Sequence, residues 1–140
     1  MKKIITTFFF AASAIAVFAL AASAQDASKF DEYGAVNTED EMARLDNFTI
    51  ALQNSPVDTG YIIVYGGRKS RVGDAKAVIK RTLNYLTKMR GMDAARIKAI
   101  DGGLKELPGH ELWIVPEGTT PPKPGPTIFP KKKTVPKKKP

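Results

Sequence analysis

The stretch Tyr61-Ile62-Ile63-Val64-Tyr65-Gly66-Gly67 decides the fold. Five β-branched or aromatic residues follow one another without polar alternation, the pattern of a central strand covered on both faces, and the glycine pair ends it. Upstream, Thr38 with Glu41 three residues later forms a capping box, and Glu39 and Asp40 sit well against a helix N-terminal dipole. Met42, Leu45, Phe48, Ile50 and Leu52 supply the apolar face of that helix, and Asn54-Ser55-Pro56 ends it. Further upstream, Phe30-Asp31-Glu32-Tyr33-Gly34 predicts a brief strand closed by a turn.

Downstream of the glycines, a second helix is predicted from Ser70 or Gly73 to Arg90. Ala75, Val78, Ile79, Leu83, Leu86 and Met89 recur near helical spacing, and Gly91 stands as a C-terminal cap. Lys76, Lys80, Arg81, Lys88 and Arg90 occupy its outer face. A short strand over 96–100 is ended by Asp101-Gly102-Gly103, and Glu111-Leu112-Trp113-Ile114-Val115 forms a last strand stopped by Pro116. The order β-α-β-α-β-β implies an α/β sandwich with two helices packed on a small mixed sheet, one domain over 25–117.

The two ends read differently from this middle. Lys2 and Lys3, the apolar run 4–20, and the small residues Ala22 and Ala24 before Gln25 form a secretory signal peptide over 1–24, with cleavage expected after Ala24. A retained membrane anchor is the alternative, since the run is nearly long enough to span. With no cysteine there is no lipoprotein anchor, no disulfide framework and no thiolate metal site. At the other end, Pro116, Pro121, Pro122, Pro124, Pro126, Pro130, Pro136 and Pro140 punctuate a run without helix or strand pattern. Residues 118–140 are therefore expected to be an extended, disordered tail.

Net charge is +8, but it is unevenly divided. Of the 22 Lys and Arg residues, two belong to the leader and seven to the tail, so 13 face all 14 acidic residues in the domain. The basic character thus belongs to Lys123, Lys131, Lys132, Lys133, Lys137, Lys138 and Lys139, which would bind polyanions by counterion release. A passive, solubilising tail is the bland alternative. Nucleic acid is not the expected partner, because export removes the chain from it.

Several strings resemble the OmpA-like C-terminal domain, an envelope module that grips peptidoglycan. The similarity spans 30–115 and is densest from Arg81-Thr82-Leu83-Asn84-Tyr85-Leu86 to Arg90-Gly91-Met92-Asp93-Ala94-Ala95-Arg96-Ile97. Asp101-Gly102-Gly103 stands where that family has a Gly-Tyr-Gly turn, and the last strand stands where it has its closing strand. The resemblance implies a βαβαβ core and wall binding. The ligand positions differ, however. Tyr65-Gly66-Gly67-Arg68 replaces the family's His-Thr-Asp, Val78 replaces its arginine, and Leu107-Pro108-Gly109-His110 replaces its Asn-Arg-Arg run.

Within the domain, Gly66, Gly67, Arg68, Lys69 and Arg71 join a strand end to a helix start. Free backbone N–H groups there, with three cations, suit a phosphate, sulfate or carboxylate; the competing reading is a glycine turn with solvated cations. Asp101, Glu106 and Glu111 form no fixed catalytic pair, and a solvated turn is the simpler reading. His110, the only histidine, is expected to be exposed or capped rather than a base, and Trp113 to be core or half-buried. No catalytic residue, metal site or cofactor is expected. The sequence thus points to a non-enzymatic periplasmic or secreted envelope module. Its partner would be a cell-wall or anionic envelope polymer, with at most peripheral membrane contact. Alternatively, it is a degenerate OmpA-like domain that docks another envelope protein.

Overall fold

The computed structural model describes residues 26–129. The expected signal peptide and most of the lysine-rich end, including Lys131, Lys132, Lys133, Lys137, Lys138 and Lys139, lie outside the described residues. In order come β1 (Ser28–Tyr33), α1 (Thr38–Asn54), β2 (Thr59–Gly66), α2 (Asp74–Asn84), a π-turn (Tyr85–Met89), a 3-10 turn (Ala94–Arg96), β3 (Ile97–Leu104) and β4 (Gly109–Val115). The chain is a mixed α/β domain with two helices and a four-stranded sheet ordered β1-β4-β2-β3. β2 lies parallel to β3, and β4 runs antiparallel to both β1 and β2. Among the described residues, no helix is long and apolar enough to cross a membrane.

Every residue of β2 from Gly60 to Gly66 is buried, as its unalternating sequence requires. Its two faces are closed by different means. Ile62 and Val64 meet the helices through Leu45, Phe48 and Leu52 of α1 and Val78, Ile79 and Leu83 of α2, with Leu86 from the π-turn. Phe48, Leu52, Ile62, Leu86 and Leu112 are fully shielded, and each such side chain contributes about 1.5–3 kcal/mol. On the opposite face, Tyr61, Ile63 and Tyr65 are also buried, although no helix lies there.

The segment following β4 reaches that second face at Tyr65. Thr119 N–H bonds Pro116 O at 3.1 Å, and Gly118 at φ 80° supplies the left-handed residue this reversal needs. The proline-rich run then crosses back over the sheet. Gly125 N–H donates to the Tyr65 hydroxyl at 3.1 Å, and Thr127 and Ile128 N–H both donate to Leu104 O at 3.0 Å. Residues 118–129, expected to open a disordered tail, form instead a strap held against the sheet at Tyr65 and Leu104.

Other boundaries shift for identifiable reasons. The α1 cap is Asn37, whose side chain accepts the Asp40 N–H at 2.8 Å, so Thr38 is the first helical residue rather than the cap. Glu41, freed from the capping box, is buried and reaches across to Arg81. Met42 and Ile50 are exposed, because the buried face of α1 runs through Glu41, Leu45, Phe48, Thr49 and Leu52. The second helix starts at Asp74, and its last turn is a π-turn, after which Gly91 adopts φ 68°. β3 does not stop at Asp101-Gly102-Gly103 but continues to Leu104, paired with Gly66.

Arg96 joins these elements. Its guanidinium donates to Leu52 O, Ser55 O and Asp58 O at 2.6, 2.8 and 3.0 Å. The last turn of α1 carries no basic residue of its own. The cation therefore comes from the start of β3 and fixes α1 to the parallel pair.

Candidate functional site

The cleft containing the expected anion-binding residues forms where β2 passes into α2. Gly67 is pressed against the β3–β4 connection: a Cβ there would lie 2.7 Å from Pro108 Cδ and 2.9 Å from Pro108 N. Only glycine permits that approach. Arg68 N–H then bonds Glu106 O at 3.2 Å, and the Arg68 guanidinium forks onto the Glu106 carboxylate, with Nε to Oε2 at 2.8 Å. A depression of about 490 Å³ lies between the two connections, lined by Gly67, Arg68, Lys69, Ser70, Glu106 and Pro108 among others.

Three backbone donors of this loop already have partners. Gly67 N–H donates to Ser70 Oγ at 2.8 Å, Ser70 N–H to Gly67 O at 2.9 Å and Arg71 N–H to Asp74 Oδ2 at 2.7 Å. Ser70 and Asp74 thus stand where an anion would approach. Arg68 and Glu106 stabilise each other's charge: their hydrogen bonds raise the guanidinium pKa and hold the carboxyl below its ordinary range. Lys69 and Arg71 are exposed and have no ion-pair partner among the described residues. The site is a basic rim rather than an anion nest.

The strap brings the root of the lysine-rich segment to the same end of the sheet. Ile128 bridges Leu104, Leu104 pairs with Gly66, and Lys105 N–H bonds Gly66 O at 2.9 Å. Lys123, exposed, stands earlier on the strap beside a cavity of about 450 Å³ bounded by Asp26, Trp113 and Thr119.

The remaining sequence candidates are occupied structurally. Asp101 Oδ1 accepts Gly103 N–H at 3.0 Å. Glu111 is buried on the strap-covered face, where burial acts to raise its pKa. Hydrogen bonds from Trp113 Nε1 at 3.0 Å and Lys105 Nζ at 3.1 Å, with Lys29 nearby, outweigh that and leave it lowered. Val78, at the position of the family's arginine, packs partly buried against the core.

His110 is not exposed. It stacks on Tyr33 with ring centroids 4.7 Å apart, and its Nε2 lies 3.9 Å from Glu41 Oε1. Burial is the main cause of a lowered His110 pKa; Arg81 adds to it and Glu41 opposes it. Neither ring nitrogen, nor the Tyr33 hydroxyl, has a hydrogen-bond partner among the described residues. Burial, helped by Glu41 and Asp31, also pushes the Tyr33 phenol upward. Sequence reasoning missed this cluster because its members come from β1, α1, α2 and β4 and share no motif. The burial of Glu41, at the core spacing four residues before Leu45, was the one available signal.

No family model matches the chain, and a search of the curated proteins finds no match.

Proposed function

We propose that the chain is an exported, non-enzymatic envelope module that holds an anionic polymer of the cell wall or membrane surface against one basic end of its sheet. The observation supporting this reading is the route of the strap. It brings Ile128, three residues before Lys131, against Leu104, beside the strand end that leads into Arg68, Lys69 and Arg71. The last described residues before the lysine-rich segment thereby meet the basic loop at one end of a domain that is otherwise nearly neutral. Polyanion binding of this kind depends on charge density and needs no dedicated pocket. The leader 1–24 supports export, and the order of elements accords with a divergent OmpA-like domain.

A second reading is favoured by the loop itself. Because Ser70 and Asp74 already satisfy the Gly67 and Arg71 amides, those two backbone donors are not open to a wall peptide. A domain of this kind would dock another envelope protein.

Co-sedimentation of the mature chain with purified peptidoglycan sacculi separates the two. The chain ending at Phe129, which keeps the strap, serves as the tail-less comparison. Under the first reading, pelleting falls at least tenfold on that truncation and at about 0.5 M salt, where the Debye length is roughly 4 Å. Replacing Lys69 and Arg71 by Ala weakens it further. Salt-resistant pelleting by the truncated chain would overturn the tail-based reading, and no pelleting at any salt would favour protein docking.

A further inference from the structure

The helical layer carries a second concavity, remote in sequence from the β2–α2 cleft. A groove of about 290 Å³ runs between the first half of α1 and the end of α2, and its lining is almost wholly apolar. Met42 and Leu45 form one wall, and Tyr85 and Met89 the other. Met42 is 41% and Met89 73% exposed, so two flexible thioether side chains present apolar area that an apolar ligand would cover. The volume suits about ten groups at the ~30 Å³ that a water molecule occupies. The surface that lines it is far smaller than the roughly 800 Å² per partner of a protein interface.

Charge narrows the occupant. Glu41 in the lining is neutralised by Arg81, whose Nη2 lies 2.8 Å from its carboxylate. The Tyr85 hydroxyl is engaged by Asp46 at 2.7 Å and by Arg90. Lys88 is the one charged lining residue with no ion-pair partner among the described residues. An apolar trough with a single unneutralised cation at its rim fits a single-chain anionic amphiphile and disfavours a cationic one.

Local backbone geometry converges on the same place. Tyr85, Lys88 and Met89 all belong to the π-turn, closed by Arg90 N–H to Tyr85 O at 3.1 Å. One residue more than an α-helical turn is inserted where the groove is lined, and such turns concentrate at functional sites.

We propose that this groove binds a free single-chain carboxylate. Its hydrocarbon chain lies between Met42, Leu45, Tyr85 and Met89, and its carboxylate rests on Lys88. This assignment is independent of the polyanion reading, which concerns another edge.

The test is calorimetric titration of the full mature chain with sodium decanoate below its micellar range at about 0.15 M salt. Butyrate, which has the charge without the chain, controls for the lysines of the C-terminal segment. Decyltrimethylammonium controls for the chain without the negative charge. Saturable one-to-one binding of decanoate is expected, with both controls at least tenfold weaker. Lys88→Glu and the double replacement Met42→Gln with Met89→Gln, both at exposed positions and verified as folded by circular dichroism, should each weaken decanoate at least tenfold. Absence of saturable decanoate binding would overturn the proposal. So would binding unchanged in both variants or equal binding of the cationic amphiphile.

Discussion

The Tyr65 hydroxyl, at the end of the central strand, accepts the backbone N–H of Gly125, sixty residues further along the chain, at 3.1 Å. A tyrosine whose strand position predicts burial is thus also the peg for a proline-rich segment whose composition predicts none. The bond also separates the basic C-terminal end into a part that belongs to the domain and a part that follows it.

Truncation should expose that division. A chain ending at Phe129 is expected to melt within about 2 °C of the mature protein, because the described contacts of the strap remain. A chain ending at Glu117 loses the strap's hydrogen bonds to Tyr65 and Leu104. It should melt well below the mature protein and bind an apolar dye, which scanning calorimetry and dye fluorescence would detect. Tyr65→Phe should cost about 1 kcal/mol in urea unfolding, the scale of one hydrogen bond.

Glu41 and Arg81 should respond asymmetrically. Glu41 is 10% and Arg81 61% exposed at the side chain. Losing the carboxylate leaves a solvated cation, whereas losing the cation leaves a poorly solvated carboxylate near His110. Arg81→Ala is therefore expected to cost about 2–3 kcal/mol and Glu41→Gln about 1 kcal/mol. The double variant should be more stable than Arg81→Ala alone. Equal costs for the two single variants would contradict the described burial.

His110 gives a pH signature. Burial depresses its folded pKa below the ordinary value near 6.5. The unfolded chain therefore takes up its proton first as pH falls. The contribution of neutral His110 is complete above about pH 6.5 and is lost as pH falls through the folded pKa. Urea unfolding from pH 7.5 to 5 should show stability declining with acid, and His110→Phe should flatten that decline. A parallel decline in the variant would assign it to the carboxylates instead.

Arg96 cannot be replaced by lysine without loss. Three carbonyls from the end of α1 and its following turn share one planar fork, a geometry that a single ammonium does not reproduce. Arg96→Lys is expected to cost about 1–2 kcal/mol, and hydrogen exchange should quicken first at the C-terminal turn of α1. Uniform exchange across the domain would argue against a capping role.

The order of elements was legible because it rests on local signals: unbroken β-branched runs, helical spacing and glycine or proline stops. Tyr61-Ile62-Ile63-Val64-Tyr65 announced burial on both faces, yet not that prolines would cover one of them, since proline marks a chain as irregular without marking where it lies. The capping box failed at Thr38 because Asn37, one residue earlier, competes successfully for the Asp40 amide. At the basic loop, sequence reasoning named Gly66, Gly67, Arg68, Lys69 and Arg71 but left Ser70 and Asp74 out of account. Those are the side chains that occupy the amides. His110 and Glu41 were illegible for a different reason: their environment is made by four elements that meet only when the sheet is assembled.

The placement of β4 sets a schedule for assembly. It lies between β1 and β2, so neither of those strands has its antiparallel partner until the chain has been made through Val115. Synthesis runs from the N-terminus, and only the parallel β2–β3 pair is available earlier. The nascent chain is therefore expected to stay open until its last quarter emerges. Arrested chains ending before residue 109 should remain fully sensitive to protease, and resistance should arise only once β4 and the strap are free.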